Sequence, residues 1–276
     1  AVSIVGTTVD ARITRSTLEG NGTPANGGAV AVTGVGEQLS GLSLVQTRLV
    51  ANQAASGGGL YADQALVRGT GVTASANAAT GADADQGGGG LYVEDGDLDL
   101  TDSTLRNNGA FGVAGSGGAV MVVGGALDLA GSTVTANYAD RAGGGVELLD
   151  ASSAVVDSAF SLNSTGASPG NGGALHLTGT GSVDVDGSTV ADNSAFEGGG
   201  LWNSATGTMT VSDTTFARNT AVGDAADQGG GALYNEGGTL SVTGSNLRQN
   251  TATGTSGSGG AILNNLGDLD VGSSVF

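Results

Sequence analysis

The sequence predicts an all-β fold, a right-handed, single-stranded parallel β-helix of about nine coils of roughly 29 residues, with three short strands per coil. Three observations predict it: a Ser/Thr-x-apolar-x-x-Asn box recurs along the chain, a Gly-Gly-(Ala/Gly/Leu)-apolar box follows each complete copy, and apolar residues alternate with polar ones between them. A fixed period of this length is typical of a solenoid, whereas a propeller blade needs about 40 residues or more. Convincing 3.6-residue periodicity is absent, so helices are not expected.

The first box is aligned on its apolar residue, which is preceded by Ser or Thr at two positions upstream and followed by Asn at three positions downstream. The anchors are Leu18, Leu49, Val72, Leu105, Val134, Phe160, Val190, Phe216, Leu247 and Phe276. In this alignment Thr70 precedes the third anchor, and Ser75 is the only substitute for Asn in the complete copies. Asn in register predicts a ladder of side-chain amides between successive coils. We therefore assign these polar columns to structure.

The second box places an apolar anchor after two or three residues drawn from Gly and Ala. Its anchors are Val30, Leu60, Leu91, Val120, Val146, Leu175, Leu201, Leu233 and Ile262. A glycine pair at a corner permits positive φ and close approach of adjacent backbones. Length varies mostly between the Asn and this box, so we expect the variable loops at that corner.

A third stretch carries an apolar residue five positions before each first-box anchor. These residues are Ile13, Leu44, Val67, Leu100, Leu129, Val155, Val185, Val211, Val242 and Val271. The alternation in Leu98-Asp99-Leu100 is typical of a strand with one buried face. Each repeat is thus predicted to supply three strands.

Composition limits the partners. The chain has 26 acidic and eight cationic residues, all of the latter Arg, for a net charge of −18. Nucleic acids and anionic membranes favour the opposite sign of charge, so neither is expected as a partner, and no apolar run is long enough for a membrane span. No cysteine is present, which leaves the compartment open.

The chain ends suggest a fragment. Residues 1–276 are predicted to form one β-helix domain, and the last box stops at its anchor Phe276. Solenoid ends without a cap expose strand edges and core groups. We expect further coils of the same chain or end-to-end self-association.

The boxes resemble those of a known family. The pairs Phe216-Ala217-Arg218-Asn219 with Gly230-Gly231-Ala232-Leu233, and Phe160-Ser161-Leu162-Asn163 with Gly172-Gly173-Ala174-Leu175, resemble the FxxN and GGA[ILV] motifs of the polymorphic outer membrane proteins. The likeness extends over the whole chain, although most first boxes here carry Leu or Val. It implies an autotransporter-like passenger β-helix that is secreted or lies on the bacterial outer surface and acts in adhesion.

One column after the glycine box collects the aromatic residues. The position following each second-box anchor holds Ala31, Tyr61, Tyr92, Met121, Glu147, His176, Trp202, Tyr234 and Leu263. Alternation places this column on the outside of the rod, where lined-up aromatic rings suit stacking on sugars or burial under a partner. The alternative is that the rings pack across strands and shield the backbone.

Carboxylates follow three of the tyrosines. Asp63, Glu94 and Glu236 share the outward face, so we predict a ligand or partner face made of Tyr61, Tyr92, His176, Trp202, Tyr234 and these three acids. Asp63 and Glu94 fall on adjacent coils, at roughly the carboxylate spacing of a retaining glycosidase. A polysaccharide lyase is disfavoured, because Arg141 is the only cationic residue expected near the column.

Two loops at the variable corner are rich in Asp. Asp83 and Asp85 precede the third glycine box, and Asp224 and Asp227 precede the eighth. They are weak candidates for calcium, and solvated loops are the alternative, since neither loop has the spacing of an EF-hand or of the nonapeptide calcium repeat. We assign no catalytic residue and no other cofactor.

Two hypotheses on function remain. The first is a non-enzymatic extracellular or cell-surface β-helix for adhesion, coating or assembly, whose partner is a surface glycan or a protein. The second is a carbohydrate-binding or glycosidase-like β-helix that uses the aromatic column with its carboxylates.

Overall fold

The computed structural model describes residues 2–36, 38–167 and 169–276. Every element in these ranges is a strand, and the strands of successive coils pair in parallel to form three sheets. The predicted parallel β-helix is therefore confirmed. Among the described residues, no helix is long and apolar enough to cross a membrane.

The wide sheet takes two strands from each coil, one from the second box and one from the alternating stretch. Its strands are Val2–Gly6, Asp10–Thr14, Val30–Gly34, Ser40–Val45, Leu60–Asp63, Ala65–Thr70, Leu91–Thr101, Val120–Ala130, Val146–Val156, Leu175–Thr178, Gly181–Asp186, Leu201–Asn203, Gly207–Ser212, Leu233–Glu236, Thr239–Thr243, Ile262–Asn265 and Asp268–Gly272. In three coils the two strands merge into one of 11 residues.

The three-residue sheet is built from the first box. Its strands are Thr17–Glu19, Arg48–Val50, Thr73–Ser75, Thr104–Arg106, Thr133–Thr135, Ala159–Ser161, Thr189–Ala191, Thr215–Ala217 and Asn246–Arg248.

The two-residue sheet follows the Asn. Its strands are Gln53–Ala54, Ala78–Ala79, Gly109–Ala110, Tyr138–Ala139, Ser164–Thr165, Ser194–Ala195, Thr220–Ala221 and Thr251–Ala252. This sheet lies where we expected only the variable corner, and the loops of variable length begin after it.

The core is a stack of aliphatic layers. Leu60, Leu91 and Val120 pair in register on consecutive coils and are fully buried, as are most other apolar residues on the inner face. Removing such surface from water contributes about 25 cal/mol per Å² of apolar area. Because every coil repeats the same layer, the stability of the rod is spread along its length.

The Asn ladder is confirmed and extends over nine residues. The Nδ2 of each member donates to the Oδ1 of the next at 2.9–3.0 Å, in the order Asn21, Asn52, Asn77, Asn108, Asn137, Asn163, Asn193, Asn219 and Asn250. Most Asn side chains also donate to a backbone carbonyl of the preceding coil, as Asn137 does to Leu105. The ladder thereby pairs polar groups that would otherwise be buried without partners.

The Ser/Thr column forms a second ladder. Each side-chain oxygen accepts the backbone N–H of its counterpart one coil earlier at 3.1–3.2 Å, from Ser103 through Ser132, Ser158, Ser188, Thr214 and Ser245 to Ser274. This column is structural, as expected.

The third coil departs from the sequence alignment by two residues. Ala74, not Val72, pairs with Leu49 of the preceding coil and is the true anchor. Asn77, not Ser75, then occupies the ladder, so the Asn column has no gap. The predictions for Val72 and Ser75 were wrong.

A compensating exchange explains the shift. In the third coil Gly69 occupies the column that we assigned to Val67, and Val72 occupies the Ser/Thr column that we assigned to Thr70. A Cβ added to Gly69 would lie 2.6 Å from Leu100 Cδ2 and 2.9 Å from Val72 Cγ2. The side chain of Val72 therefore fills the room that the missing side chain of Gly69 leaves.

The corner glycines are used as predicted. Gly88 has φ of +60°, and a Cβ there would collide with the carbonyl oxygen of Leu91. A Cβ at Gly89 would collide with the carbonyl oxygen of Gly118 on the next coil. The first glycine thus supplies the backbone conformation, and the second allows close approach of adjacent coils.

A shorter ladder inside the core was not predicted. Asn203 donates to Asn235 at 2.7 Å, and Asn235 donates to Asn264 at 2.6 Å. These three residues continue an inward column that is apolar in the earlier coils, where Leu177 precedes Asn203. The Oδ1 of Asn203 is buried without a hydrogen-bond partner among the described residues.

Candidate functional site

The predicted column after the glycine box is continuous in the structure. Strand pairing aligns Ala31, Tyr61, Tyr92, Met121, Glu147, His176, Trp202, Tyr234 and Leu263 one after another. We call this line the outward column. The rings of Tyr61 and Tyr92 stack with centroids 5.3 Å apart, and those of Trp202 and Tyr234 stack at 5.8 Å.

The outward column is largely covered, so the prediction of an exposed aromatic face was wrong. The exposed fraction is 3% for Tyr92, 2% for Tyr234 and 3% for His176, and Tyr61 and Trp202 are only partly exposed. Stacking of a sugar ring needs an open aromatic face, which these buried residues do not present.

The loops of the variable corner cover the column, and tyrosine hydroxyls hold them there. Tyr92 donates to the carbonyl oxygen of Asp85, and Tyr234 donates to that of Asp227, both at 2.9 Å. Both loops end in Asp-Gln-Gly-Gly-Gly-x-Leu-Tyr. The hydroxyl bonds explain why tyrosine recurs here.

The calcium candidates lie in these loops. The Gln86 side chain accepts the backbone N–H of Asp83 at 3.2 Å, so the first loop is closed by the chain's own groups. In the second loop, Asp224 Oδ1 accepts the backbone N–H of Thr255 on the next coil at 2.9 Å. The part of the chain that is described contains no cluster of three His, Cys, Asp or Glu side chains suited to a metal ion. Calcium binding by Asp83, Asp85, Asp224 and Asp227 stays a prediction.

The first cluster of polar groups joins the two tyrosines to the predicted carboxylates. Asp63 and Glu94 are register partners on adjacent coils, and Tyr61 donates its hydroxyl to Glu94 Oε2 at 3.0 Å. Burial, and after it the charge of Asp95, raises the pKa of Asp63. Burial and the neighbouring Glu94 raise the pKa of the Tyr61 hydroxyl. In this cluster Asp63, which has a raised pKa, therefore lies beside the carboxylate of Glu94.

The second cluster is a buried carboxylate–imidazole pair. His176 Nδ1 lies 2.8 Å from Glu147 Oε2, and Thr178 donates to Glu147 Oε1 at 2.8 Å. Glu147 is 1% exposed, and the Nε2 of His176 is buried without a partner among the described residues. Sequence reasoning placed Glu147 and His176 in one column but assigned no role to Glu147 or Thr178. The adjacency of Glu147 and His176 in that column was the sequence feature that could have indicated the pair.

The third cluster surrounds Trp202 and Tyr234. Trp202 Nε1 donates to Glu197 Oε2 at 3.2 Å, and Tyr234 donates to Glu236 Oε2 at 2.7 Å. Asn265 also donates to Glu236, at 2.8 Å. Burial raises the pKa of Glu197, and the charge of Glu236 adds to the effect. Glu197 was not predicted, because its column holds the non-acidic residues Ala142 and Asn171 in the two preceding coils and so shows no acidic pattern.

A third stacked aromatic pair, with one exposed member, lies beside the two-residue sheet. Phe111 is 57% exposed, and its ring stacks on Tyr138 with centroids 6.0 Å apart. Tyr138 donates its hydroxyl to Asp140 Oδ1 at 2.7 Å. The hydrogen bond to Asp140, followed by burial, raises the pKa of Tyr138 to about 12.

Comparisons with known proteins bear on the fold. No curated protein and no solved structure matches the chain. The family model described as a right-handed β-helix region matches residues 1–276. The chain therefore belongs to the right-handed β-helix family.

Proposed function

We propose that the chain is a non-enzymatic, secreted or cell-surface β-helical rod that makes adhesive or assembly contacts through the loops of its variable corner. The observation that supports this proposal is a difference in exposure between the outward column and one loop of that corner. The outward column is largely covered, whereas Phe111 and Val113 on a loop of the same corner are 57% and 88% exposed. Exposed apolar side chains on a rigid scaffold are typical of interaction sites.

The contacts of the carboxylates support a structural role for the outward column. Glu94 accepts from Tyr61, Glu147 from Thr178, and Glu236 from Tyr234 and Asn265. Such bonds join neighbouring coils and engage the oxygens that a general acid or base would offer to substrate. The surface location rests on the resemblance of the boxes to the polymorphic outer membrane proteins.

Binding of beads coated with the protein tests the proposal. The probes are a glycan array and immobilised fibronectin, laminin and collagen. The loop variant Phe111→Ser with Val113→Ser removes the exposed apolar side chains at constant length and keeps Gly112, where a Cβ would collide with the carbonyl oxygen of Gly81. We expect this variant to lose retention on a probe that holds the wild type. The control replaces Thr189 and Thr215, on the three-residue sheet, with serine. Equal retention of the loop variant and the wild type would contradict the proposal.

One observation favours the carbohydrate-active alternative. Asp63, whose pKa is raised by burial, is paired in register with Glu94. An acid of this kind beside a second carboxylate is the arrangement that glycoside hydrolysis needs. Release of reducing sugar from a polysaccharide, lost in Asp63→Asn with Glu94→Gln but kept in Asp102→Asn, would establish this alternative and exclude the non-enzymatic proposal.

A further inference from the structure

Exposed Phe111 and partly exposed Tyr138 form an aromatic platform on the outer side of the two-residue sheet. A Cβ at Gly109 would collide with the ring of Phe111, so the ring lies directly over this glycine. Tyr138 is the register partner of Gly109 on the next coil, and its ring stacks on Phe111 at an interplanar angle of 27°. The absence of a side chain at Gly109 therefore creates the seat that holds the two rings side by side.

The surroundings of the platform are acidic. Asp140, two residues after Tyr138, accepts the hydrogen bond of the tyrosine hydroxyl at 2.7 Å. Exposed Asp83 and Asp85 lie on the loop one coil earlier, which packs on the loop of Phe111. Arg141, on the loop of the same coil as Tyr138, donates from its guanidinium to the hydroxyl of Ser116 at 3.2 Å.

We propose that this platform binds an arginine or lysine side chain from a basic segment of another protein. A cation over the face of Phe111 or Tyr138 is attracted by the ring, and the carboxylate of Asp140 neutralises it at the edge. The net charge of −18 draws basic partners to the rod, and the platform provides a place where they bind. This inference rests on the proposed function and names the partner of its loop corner.

Anisotropy of a fluorescein-labelled peptide of alternating glycine and arginine tests the inference, at about 0.15 M salt to limit long-range attraction. We expect Phe111→Ala to weaken binding about two- to fivefold although the net charge is unchanged. Phe111→Tyr keeps the ring and should bind as the wild type does. Asp140→Asn should weaken binding more than Asp102→Asn, which removes the same charge at an exposed turn on another side of the rod.

Three results would overturn the inference. The first is equal binding of the peptide by Phe111→Ala and the wild type. The second is an equal loss in Asp140→Asn and Asp102→Asn, which would mean attraction by net charge alone. The third is retention on a glycan spot that Phe111→Ala abolishes while peptide binding is unchanged, since the platform would then bind sugar. Equal retention of the loop variant and the wild type on every surface probe, with peptide binding by the wild type intact, would instead contradict the proposed function.

Discussion

At the scale of single residues, the buried pair of Glu147 and His176 is the strongest test of how the outward column is held together. The preceding member of the column, Met121, is apolar and fully buried, so the position accepts a long apolar side chain. Replacing both partners of a buried polar pair with apolar residues of similar volume is often neutral, whereas replacing one leaves the other without compensation.

We therefore predict that His176→Met destabilises the protein by about 3–5 kcal/mol, and that Glu147→Met with His176→Met costs much less. The physical reason is that the single variant leaves the Glu147 carboxylate buried with only the hydroxyl of Thr178 as a donor. Urea unfolding followed by circular dichroism measures both changes. A double variant as unstable as the single one would contradict the prediction. It would mean that the lost packing of the two side chains, and not an unpaired buried carboxylate, causes the loss of stability.

Glu197 gives a prediction on pH. Its pKa is raised from the ordinary value of 4.5 by burial first and by Glu236 and Asp227 next, so the folded state favours the protonated form. Stability is then lost as the pH rises above about 4.5 through the folded pKa. We predict that Glu197→Gln, which keeps the size of the side chain, becomes increasingly more stable than the wild type over this range.

The control for this prediction has the opposite sign. The hydrogen bonds from Arg218 hold the pKa of Asp192 below its usual value, so Asp192 stabilises the fold at neutral pH and loses that effect as the pH falls. Asp192→Asn should be less stable than the wild type at neutral pH, with a smaller difference in acid. Thermal melting of the three proteins between about pH 2 and 8 compares them. Parallel curves for Glu197→Gln and the wild type would contradict the prediction.

At the scale of the elements, the exchange between Gly69 and Val72 is the clearest case of one strand adapting to the next. In neighbouring coils the column of Gly69 holds Leu44 and Leu100, and the column of Val72 holds Ser or Thr. Gly69→Leu alone places atoms where Val72 and Leu100 already lie.

We predict that Gly69→Leu destabilises the fold by about 1–3 kcal/mol through overpacking, and that adding Val72→Ser restores much of the loss. The serine frees the space of the valine side chain and supplies the oxygen that the other coils use to accept the backbone N–H of the preceding coil. The shift in urea midpoint for the two variants, with Val72→Ser alone as control, measures the coupling. Additive effects of the two substitutions would contradict the exchange.

The same coil shows where sequence reasoning stops. The coils, their glycine corners and the Asn ladder could be predicted because each repeat needs the same groups at the same corner. The third coil was aligned wrongly because Thr70 and Val72 match the box by composition, while only contact with Leu100 reveals the true register. The prediction that the outward column is exposed was wrong. Alternation places Tyr92 outside the core, but it does not show that the tyrosine hydroxyl binds a loop that covers the ring.

At the scale of the whole molecule, stability depends on contacts between neighbouring coils. Quasi-one-dimensional proteins of this kind unfold in parts when one interface is weakened, because each coil contacts only its neighbours. The Asn ladder is the polar feature that runs through all these interfaces, and its middle member Asn137 is fully engaged. It accepts from Asn108 and donates to Asn163 and to the Leu105 carbonyl.

We predict that Asn137→Ala splits unfolding into two transitions, whereas Asn250→Ala, at the last position of the ladder, affects only its own neighbourhood. The central substitution removes four hydrogen bonds of a buried side chain, at a cost of about 2–4 kcal/mol. It leaves the Leu105 carbonyl and the Asn163 Oδ1 each without that donor. Calorimetry should resolve the two transitions, and hydrogen exchange should show lowered protection in the coils on both sides of Asn137. For Asn250→Ala the lowered protection should be confined to the coils of Asn219 and Asn250. Uniform loss of protection along the chain in both variants would mean that the rod unfolds as one cooperative unit.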